Sequence, residues 1–398
     1  MIKIKDECCE IIKNIQIADG MFDLTVKSDF IAGTAMCGQF ANILVDGKTL
    51  RRPISICDAE NGVVRFVYQV KGEGTQWLSQ RKAGESLVVF GPLGKGFNFK
   101  SKPRHIVLIG GGIGTPPMLK TLKTAVENGC IVDVILGFRN KSLVILEDEF
   151  KAVANSVTVC TDDGSYGVKG FVTDALKDVL KSQQIDCVMT CGPTPMLKAI
   201  AGVCMDNKVS CQVSLEERMG CGVGACVCCV CKVKLQGFKG YQQVCKSGPV
   251  FDAKAIVWYD TKVSDKAQFE QAKQIRTEVF CDEQGFPYGC EFDELDDTAT
   301  HLITYDGARP IATGRVIDLG NGEFKLGRIA VLKAYRGREV GKALVEEMIE
   351  YAMAQGAKKV LVDSQVQAKG FYAKVGFKEY GEEHMDCHVP HVYMSMDV

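Results

Sequence analysis

Cysteines are the residues of this sequence whose type and spacing most clearly indicate chemistry. Seven of the 19 cysteines lie between Cys211 and Cys245. Cys221, Cys226 and Cys229 are separated by four and then two residues, which is the spacing of a plant-type 2Fe–2S loop. Cys245 supplies a distant fourth thiolate, and glycines between the cysteines relieve crowding where the thiolates converge. The segment therefore predicts a 2Fe–2S site.

Zinc is the alternative occupant of this cysteine cluster. An all-cysteine zinc site usually presents two C-x2-C knuckles, whereas Cys245 stands alone, so the spacing favours iron–sulfur. Cys226 and Cys231 are also separated by four residues, but no cysteine follows them at the required offset. We therefore interpret Cys228 and Cys231 as bystanders. A single local cluster in a long chain also fits a reducing compartment better than a disulfide scaffold does.

Three further motifs could bind the phosphates of nucleotides. The RPIS sequence at residues 52–55 offers a cation and a hydroxyl to a pyrophosphate, and the turn at residues 72–75 offers backbone N–H donors. GGGIGTPPML, at residues 110–119, follows an apolar run and opens a helical pattern, as a dinucleotide phosphate loop should. It departs from the standard G-x-G-x-x-G, so its spacing alone is only moderately specific.

The elements that must position these motifs differ along the chain. Residues 1 to about 100 contain short alternating stretches that are typical of a small antiparallel barrel. From Pro103, buried-type strands alternate with helical stretches, which predicts a parallel sheet covered on both faces. Residues 211–250 contain too few periodic apolar residues to fold without a cross-link. After Pro249 a new alternation of strands and helices begins and continues to the end.

Composition and charge exclude several classes of protein. The chain has 398 residues, 46% hydrophobic and 24% charged, which predicts a folded protein of two to three domains and excludes disorder. Its apolar runs are too short for a membrane span, and MIKIKDECCE is charged where a signal peptide needs an apolar segment. Residues 1–253 hold 30 Lys and Arg against 25 Asp and Glu, and residues 254–398 hold 18 against 24. We therefore predict a cytoplasmic protein with neither a nucleic acid nor a membrane as partner.

The order of the motifs in residues 1–253 resembles the ferredoxin-reductase superfamily, and within it the electron-transfer subunits of NAD-dependent dihydroorotate dehydrogenase. The succession is RPIS, Gly-Thr, GGGIGTPPM, TDDGS, CGPTPML and then the ferredoxin-type cysteines. The contacts with FAD that the resemblance implies are Arg52, Pro53, Ile54, Ser55, Val67, Tyr68, Gln69, Gly74 and Thr75. The residues implied at the NAD nucleotide are Gly111, Gly112, Gly114, Thr115, Cys191, Gly192 and Pro193.

The same resemblance implies a function in electron transfer. NAD exchanges only hydride and an iron–sulfur cluster passes single electrons, whereas a flavin does both and so stands between them. Members of the family work with a separate FMN-containing catalytic subunit that oxidises dihydroorotate in pyrimidine biosynthesis, and a heterotetramer is implied. The implied path runs from that FMN through the 2Fe–2S cluster and FAD to NAD+. Related flavin/2Fe–2S subunits serve sulfide- or ferredoxin-linked NAD(P) oxidoreductases, and this alternative stays open.

Residues 254–398 resemble a different family, the Gcn5-related N-acetyltransferases. KLGRIAVLKAYRGREVGKALVEEMIEYA predicts a strand, a basic loop and a helix, whose N–H donors and positive charge suit a pyrophosphate. QAKGFYAKVGF, at residues 367–377, resembles a later helix and strand of that family. The contacts with acetyl-CoA that the resemblance implies are Ile329, Val331, Arg336, Gly337, Arg338, Val340, Gly341 and Lys342. The implied acetyl acceptor is a small-molecule or peptide amine.

Two catalytic side chains are predicted in this module, each with an alternative. Tyr372 would protonate the departing thiolate, or else is a packed aromatic. Glu294 is the predicted catalytic residue of the acid-rich stretch 282–297. This stretch would attract an amine and supply a general base, or else it is a solvated loop. Glu339 occupies a position where the family pattern has glycine, which keeps open a non-catalytic acetyl-CoA sensor or docking module. We assign no metal to the histidines and cysteine of residues 384–391.

The predicted fold class is multidomain. It comprises an antiparallel β-barrel, an α/β nucleotide-binding domain and a small 2Fe–2S domain, followed by an α+β Gcn5-related acetyltransferase domain. The predicted boundaries are 1–100 for the FAD-binding barrel, 101–210 for the NAD-binding domain, 211–253 for the 2Fe–2S domain and 254–398 for the acetyltransferase domain.

Overall fold

The computed structural model describes residues 4–235 and 238–398 and divides the chain after Val257 into two compact units. In these residues no helix is both long and apolar enough to cross a membrane.

The N-terminal unit begins with a closed barrel in the strand order β1-β2-β5-β4-β3-β6, in which all neighbouring strands are antiparallel. The strands are β1 (Lys5–Ala18), β2 (Met21–Lys27), β3 (Phe40–Ile43), β4 (Arg52–Glu60), β5 (Val63–Gln69) and β6 (Ser86–Leu93), and the helices are α1 (Asp29–Thr34) and α2 (Glu73–Ser79). Alternate apolar residues such as Ile11, Leu24, Ile56 and Phe66 fill the interior, because successive side chains of a strand point to opposite faces.

A seven-stranded sheet follows in the order β10-β9-β8-β7-β11-β12-β15, parallel except for the last strand. Its elements are β7 (His105–Gly111), α3 (Pro116–Glu127), β8 (Ile131–Phe138), α4 (Glu147–Lys151), β9 (Ser156–Thr161), β10 (Val168–Lys169), α5 (Val172–Ser182), β11 (Cys187–Cys191), α6 (Thr194–Asp206), β12 (Ser210–Ser214) and β15 (Val250–Asp252). The chain runs outward from β7 in one direction and returns to β11 on the other side. The gap between β7 and β11 is therefore the switch point of the sheet, where ligands of such folds bind.

Ion pairs join the barrel to this sheet. Arg65 of β5 contacts Asp23 of β2 at 2.9 Å and Glu149 of α4 at 2.5 Å. Lys123 of α3 contacts Asp58 of β4 at 2.5 Å. These contacts fix the barrel against the seven-stranded sheet within one unit.

The cysteine-rich segment forms an antiparallel pair, β13 (Val230–Leu235) and β14 (Phe238–Gln243), between β12 and β15. Because β15 then pairs with β12, the segment is connected at both ends to the seven-stranded sheet.

The C-terminal unit is an eight-stranded sheet in the order β16-β17-β18-β19-β20-β23-β21, with β22 paired to β23. Its elements are β16 (Asp260–Val263), α7 (Phe269–Arg276), α8 (Tyr288–Glu291), β17 (Thr300–Asp306), β18 (Arg309–Gly320), β19 (Glu323–Val331), α9 (Val340–Ala354), β20 (Lys359–Gln365), α10 (Lys369–Val375), β21 (Lys378–Glu379), β22 (His384–Asp386) and β23 (Val389–Asp397). Helix α9 packs against β18, where the end of the Met348 side chain lies over Gly314.

One strand pair of this sheet opens into a cleft. β19 and β20 run parallel but pair only through Glu323–Leu326 and Lys359–Val362, so the rest of each strand separates from the other. Taken together, the barrel, the α/β sheet, the cysteine-rich segment and the α+β unit confirm the predicted fold class.

Candidate functional site

The four predicted cluster cysteines lie in two pairs. The backbone N–H of Cys221 donates to Sγ of Cys226 and that of Cys226 to Sγ of Cys221, both at 3.4 Å. The β13–β14 hairpin brings Cys229 to Cys245, whose N–H donates to the Cys229 Sγ at 3.4 Å. Among the described residues, no three His, Cys, Asp or Glu side chains are grouped as ligands of one metal ion. Two pairs suit a cluster of two irons with two thiolates each better than a single tetrahedral zinc.

The loop around Cys221 is rich in hydrogen-bond donors. The N–H groups of Val223 and Ala225 donate to its Sγ at 3.4 and 3.2 Å, in addition to that of Cys226. Burial raises the pKa of the Cys221 thiol, but these backbone donors and the Cys226 side chain outweigh it and lower the pKa to about 6. A thiolate held by N–H donors is the form that binds iron, so this loop fits the predicted cluster.

The two bystander cysteines have different surroundings. Cys228 is exposed. Cys231, on β13, donates its thiol to the carbonyl of Gln242 across the hairpin at 3.6 Å.

Two of the predicted FAD motifs, the RPIS sequence and the turn at residues 72–75, meet at Arg52. Arg52 begins β4, and its guanidinium lies against the first turn of α2, because a Cβ on Gly74 would lie 2.1 Å from the Arg52 Nε. Thr75 closes that turn by accepting from the N–H groups of Lys71 and Gly72 at 2.9 and 3.2 Å. A cation beside a helix N-terminus is suited to a pyrophosphate. Of the remaining predicted residues, Ile54, Val67 and Tyr68 are buried, Ser55 and Gln69 are half-buried and Pro53 is exposed.

The predicted nicotinamide residues meet at the switch point. Gly111 ends β7 and residues 112–115 follow it, and Cys191–Pro193 end and follow the adjacent β11. A Cβ on Gly114 would lie 2.5 Å from the carbonyl oxygen of Cys191, so the two loops are in contact. The hydroxyl of Thr115 is buried and has no hydrogen-bond partner among the described residues. An orphaned donor at the start of α3 fits a dinucleotide, whose phosphates would accept from it.

In the C-terminal unit, the cleft between the separated strands has a volume of about 940 Å3. The predicted acetyl-CoA residues that line it are Ile329, Val331, Arg336, Gly337, Val340, Gly341 and Lys342. The remaining one, Arg338, lies with its guanidinium 5.7 Å from the ring centre of Tyr335. A cleft between splayed strands, closed at one end by the N-terminus of α9, suits an extended thioester with a terminal pyrophosphate.

Tyr372 lines this cleft and is buried. Burial raises the pKa of its phenol, so the hydroxyl keeps its proton. Its ring packs edge-on against Phe371 and Phe377, at centroid distances of 5.0 and 5.9 Å. The side chain is thus both a packed aromatic and a protonated group at the cleft, and its catalytic role stays a prediction.

The acidic stretch has a structural role that the sequence reasoning missed. Arg276 is fully buried and contacts Glu291 at 2.6 Å and Asp296 at 2.8 Å, and Arg315 contacts Asp293 at 2.5 Å. Glu294 is exposed, whereas Glu291 and Asp293 line the cleft. The position of Arg276 among the apolar residues of α7 could have predicted this role, because a buried guanidinium requires carboxylate partners.

Three protein-family models match the chain. An oxidoreductase NAD-binding domain matches residues 108–202, the iron–sulfur cluster binding domain of dihydroorotate dehydrogenase B matches residues 216–257, and an acetyltransferase (GNAT) domain matches residues 270–398.

Known proteins also resemble the N-terminal unit. The dihydroorotate dehydrogenase B (NAD+) electron transfer subunit of Bacillus pumilus is 41% identical over 253 residues, covering 62% of this chain and 96% of that protein. The corresponding subunit of Fusobacterium nucleatum is 40% identical over 262 residues, covering 64% and 99%. The solved structure of an NADH-dependent reduced ferredoxin-NADP oxidoreductase is 32% identical, with a TM-score of 0.57, and covers 63% of this chain and 90% of that one.

Proposed function

This chain belongs, through its N-terminal unit, to the family of dihydroorotate dehydrogenase B electron transfer subunits, and we propose that it passes electrons from a dihydroorotate-oxidising, FMN-containing subunit to NAD+ in pyrimidine biosynthesis. In this proposal residues 1–100 bind FAD, residues 101–210 bind NAD and residues 211–253 bind the 2Fe–2S cluster. The two subunits assemble as a heterotetramer.

The observation that carries this proposal is the arrangement of Cys221 with Cys226 and of Cys229 with Cys245. A 2Fe–2S cluster supplies single-electron exchange, NAD supplies hydride exchange, and FAD supplies both. The chain's own residues bind and orient these groups. N–H donors stabilise the Cys221 thiolate, Arg52 places a cation at a pyrophosphate, and the Thr115 hydroxyl is left to pair with a ligand.

The test is reconstitution with a separately purified FMN-containing dihydroorotate-oxidising subunit. We expect NADH to form from dihydroorotate and NAD+ only when both proteins are present. Turnover of dihydroorotate by this chain alone would contradict the proposal, because it assigns that chemistry to the partner. The alternative function is that of a subunit of a sulfide- or ferredoxin-linked NAD(P) oxidoreductase, and the likeness to the ferredoxin-NADP oxidoreductase supports it. It predicts no orotate-linked NADH but reduction of NAD(P) from reduced ferredoxin or sulfide.

For the C-terminal unit, a GNAT acetyltransferase domain, we propose acetyl transfer from acetyl-CoA to a small-molecule or peptide amine. The supporting observation is the cleft that seven of the predicted acetyl-CoA residues line. Release of free CoA in the presence of a panel of amines, followed with a thiol reagent, tests this function. Tight binding of acetyl-CoA without release of CoA by any amine would favour the sensor or docking module instead.

A further inference from the structure

Asn42 lies between the FAD motif and the cysteine loop. On β3 its Cα is paired with Pro53 of the RPIS motif on one side and with Phe90 of β6 on the other. Its neighbours Ala41 and Ile43 belong to the core inside the barrel. Because side chains alternate along a strand, the Asn42 side chain points outward. It is nevertheless only 1% exposed.

The loop that contains Cys221 and Gly222, here called the cysteine loop, covers the Asn42 side chain. Gly222, which directly follows Cys221, has φ +76°, and a Cβ on it would lie 2.3 Å from the Asn42 Nδ2 and 3.2 Å from Leu93. The backbone beside the first cluster cysteine therefore rests on the Asn42 amide, and only glycine permits that approach.

The amide has no partner in the polypeptide. Neither Nδ2 nor Oδ1 of Asn42 makes a hydrogen bond with any described residue, although both atoms are buried. Gln39, three residues earlier and equally buried, accepts from the N–H of Met36 at 2.8 Å and donates to the carbonyl of Gly94 at 2.7 Å. Buried amides in native proteins are almost always paired, and leaving one unpaired is costly. The partner of Asn42 is thus to be sought in a group that the cysteine loop holds.

We propose that the Asn42 amide donates a hydrogen bond to the redox centre bound by the Cys221 loop and stabilises its reduced state. The inference rests on the proposed function, since it takes that centre to be the 2Fe–2S cluster. Reduction adds a negative charge to the cluster, and a donor aimed at its sulfurs stabilises that charge and raises the potential. Asn42 would thereby raise the cluster potential relative to that of the flavin.

The experiment compares the full-length wild-type protein with Asn42→Leu, each prepared anaerobically with iron, sulfide and FAD. The cluster midpoint is measured by EPR-monitored titration and the flavin midpoint by visible absorbance. We expect iron and acid-labile sulfide to be retained and the cluster midpoint of Asn42→Leu to fall. The loss of one charge-assisted hydrogen bond corresponds to about a tenfold change in the reduction equilibrium, or about 59 mV for one electron. The flavin midpoint should stay constant.

Two further variants sharpen the result. Asn42→Asp removes the donor and adds a negative charge, so its cluster midpoint should fall further than that of Asn42→Leu. Gln39→Leu removes a paired amide and should leave the cluster midpoint unchanged. An unmoved cluster midpoint in both Asn42 variants, or a shift of the flavin midpoint alone, would overturn the assignment while leaving the proposed function intact. Wild-type protein without labile sulfide would overturn both.

Discussion

Arg336, which lines the cleft between β19 and β20, forms a double hydrogen bond with Glu283, with Nη1 and Nη2 donating to the two carboxylate oxygens at 2.6 and 2.8 Å. The Nε of Arg336 also donates to the carbonyl of Val331 at 2.9 Å. Three of the five N–H donors of this guanidinium are therefore engaged, and a pyrophosphate would compete with Glu283 for its charge.

Glu283→Gln should strengthen the binding of acetyl-CoA. Removing the negative charge frees Arg336, and because the pair is partly exposed we expect a roughly two- to fivefold lower Kd by isothermal titration calorimetry. Asp282→Asn is the matched control, since it removes the same charge one residue away. Equal effects of the two variants would mean that only the overall charge matters and that the pair does not compete with the ligand.

Glu339→Gly should improve both ligand binding and stability. Glu339 precedes α9 with φ +59°, in the left-handed region that glycine tolerates and other residues occupy at a cost. Its carboxylate also lines the cleft where a pyrophosphate is expected. Relief of strain should add about 1 kcal/mol to the free energy of unfolding, and loss of the charge should lower the Kd for acetyl-CoA.

Glu339→Gln separates these two effects. It removes the charge but keeps a side chain at a positive φ, so it should bind acetyl-CoA more tightly without any gain in stability. If Glu339→Gln and Glu339→Gly have the same melting temperature, the strain argument is wrong.

Cys226→Ser should abolish the cluster and spare the flavin. Cys226 is half of one of the two cysteine pairs, and a serine hydroxyl does not replace a thiolate as an iron ligand under mild conditions. We expect FAD content and NADH-dependent dye reduction to persist, while electron transfer from the partner subunit to NAD+ is lost. Cys228→Ser, two residues away at an exposed position, should retain iron and sulfide. Loss of the cluster in the Cys228 variant would show that the ligand register is wrong.

The sequence predicts the features that depend on short spacings between residues along the chain. The intervals between Cys221, Cys226 and Cys229 place donors on one loop whatever surrounds it, and alternation of apolar residues decides between barrel and parallel sheet. The acetyltransferase cleft was predictable in the same way as far as the loop that opens α9, because a glycine- and arginine-containing turn before a helix is a local feature.

The remainder depends on contacts between distant segments. Nothing near Asn42 marks it as special, and its significance arises only because residue 222, far along the chain, packs upon it. Likewise, the carboxylates at 291 and 296 look like a solvated run until Arg276, 15 and 20 residues earlier, is seen to neutralise them in the interior. Such pairings are set by tertiary structure, which single-sequence patterns do not carry.

The C-terminal unit should lose stability as the pH falls below about 6.5 because of His301. This side chain is buried, and its Nε2 donates to the carbonyl of Asp296 at 3.0 Å, which leaves Nδ1 as a buried acceptor with no partner among the described residues. Burial lowers the pKa of His301 below 6.5. Asp296 opposes this through its carbonyl and its charge, whereas Arg276 and Arg315 lower the pKa further. Between the folded and unfolded pKa values of His301 the unfolded chain binds more protons than the folded chain. The stabilisation is therefore complete above about pH 6.5 and declines on acidification.

Hydrogen exchange of β17 amides at pH 7.5 and 5.5, converted to opening free energies, measures this decline in stability. His301→Gln keeps a donor for Asp296 but does not titrate, so its decline should be smaller. An equal decline in both proteins would assign the effect to other groups.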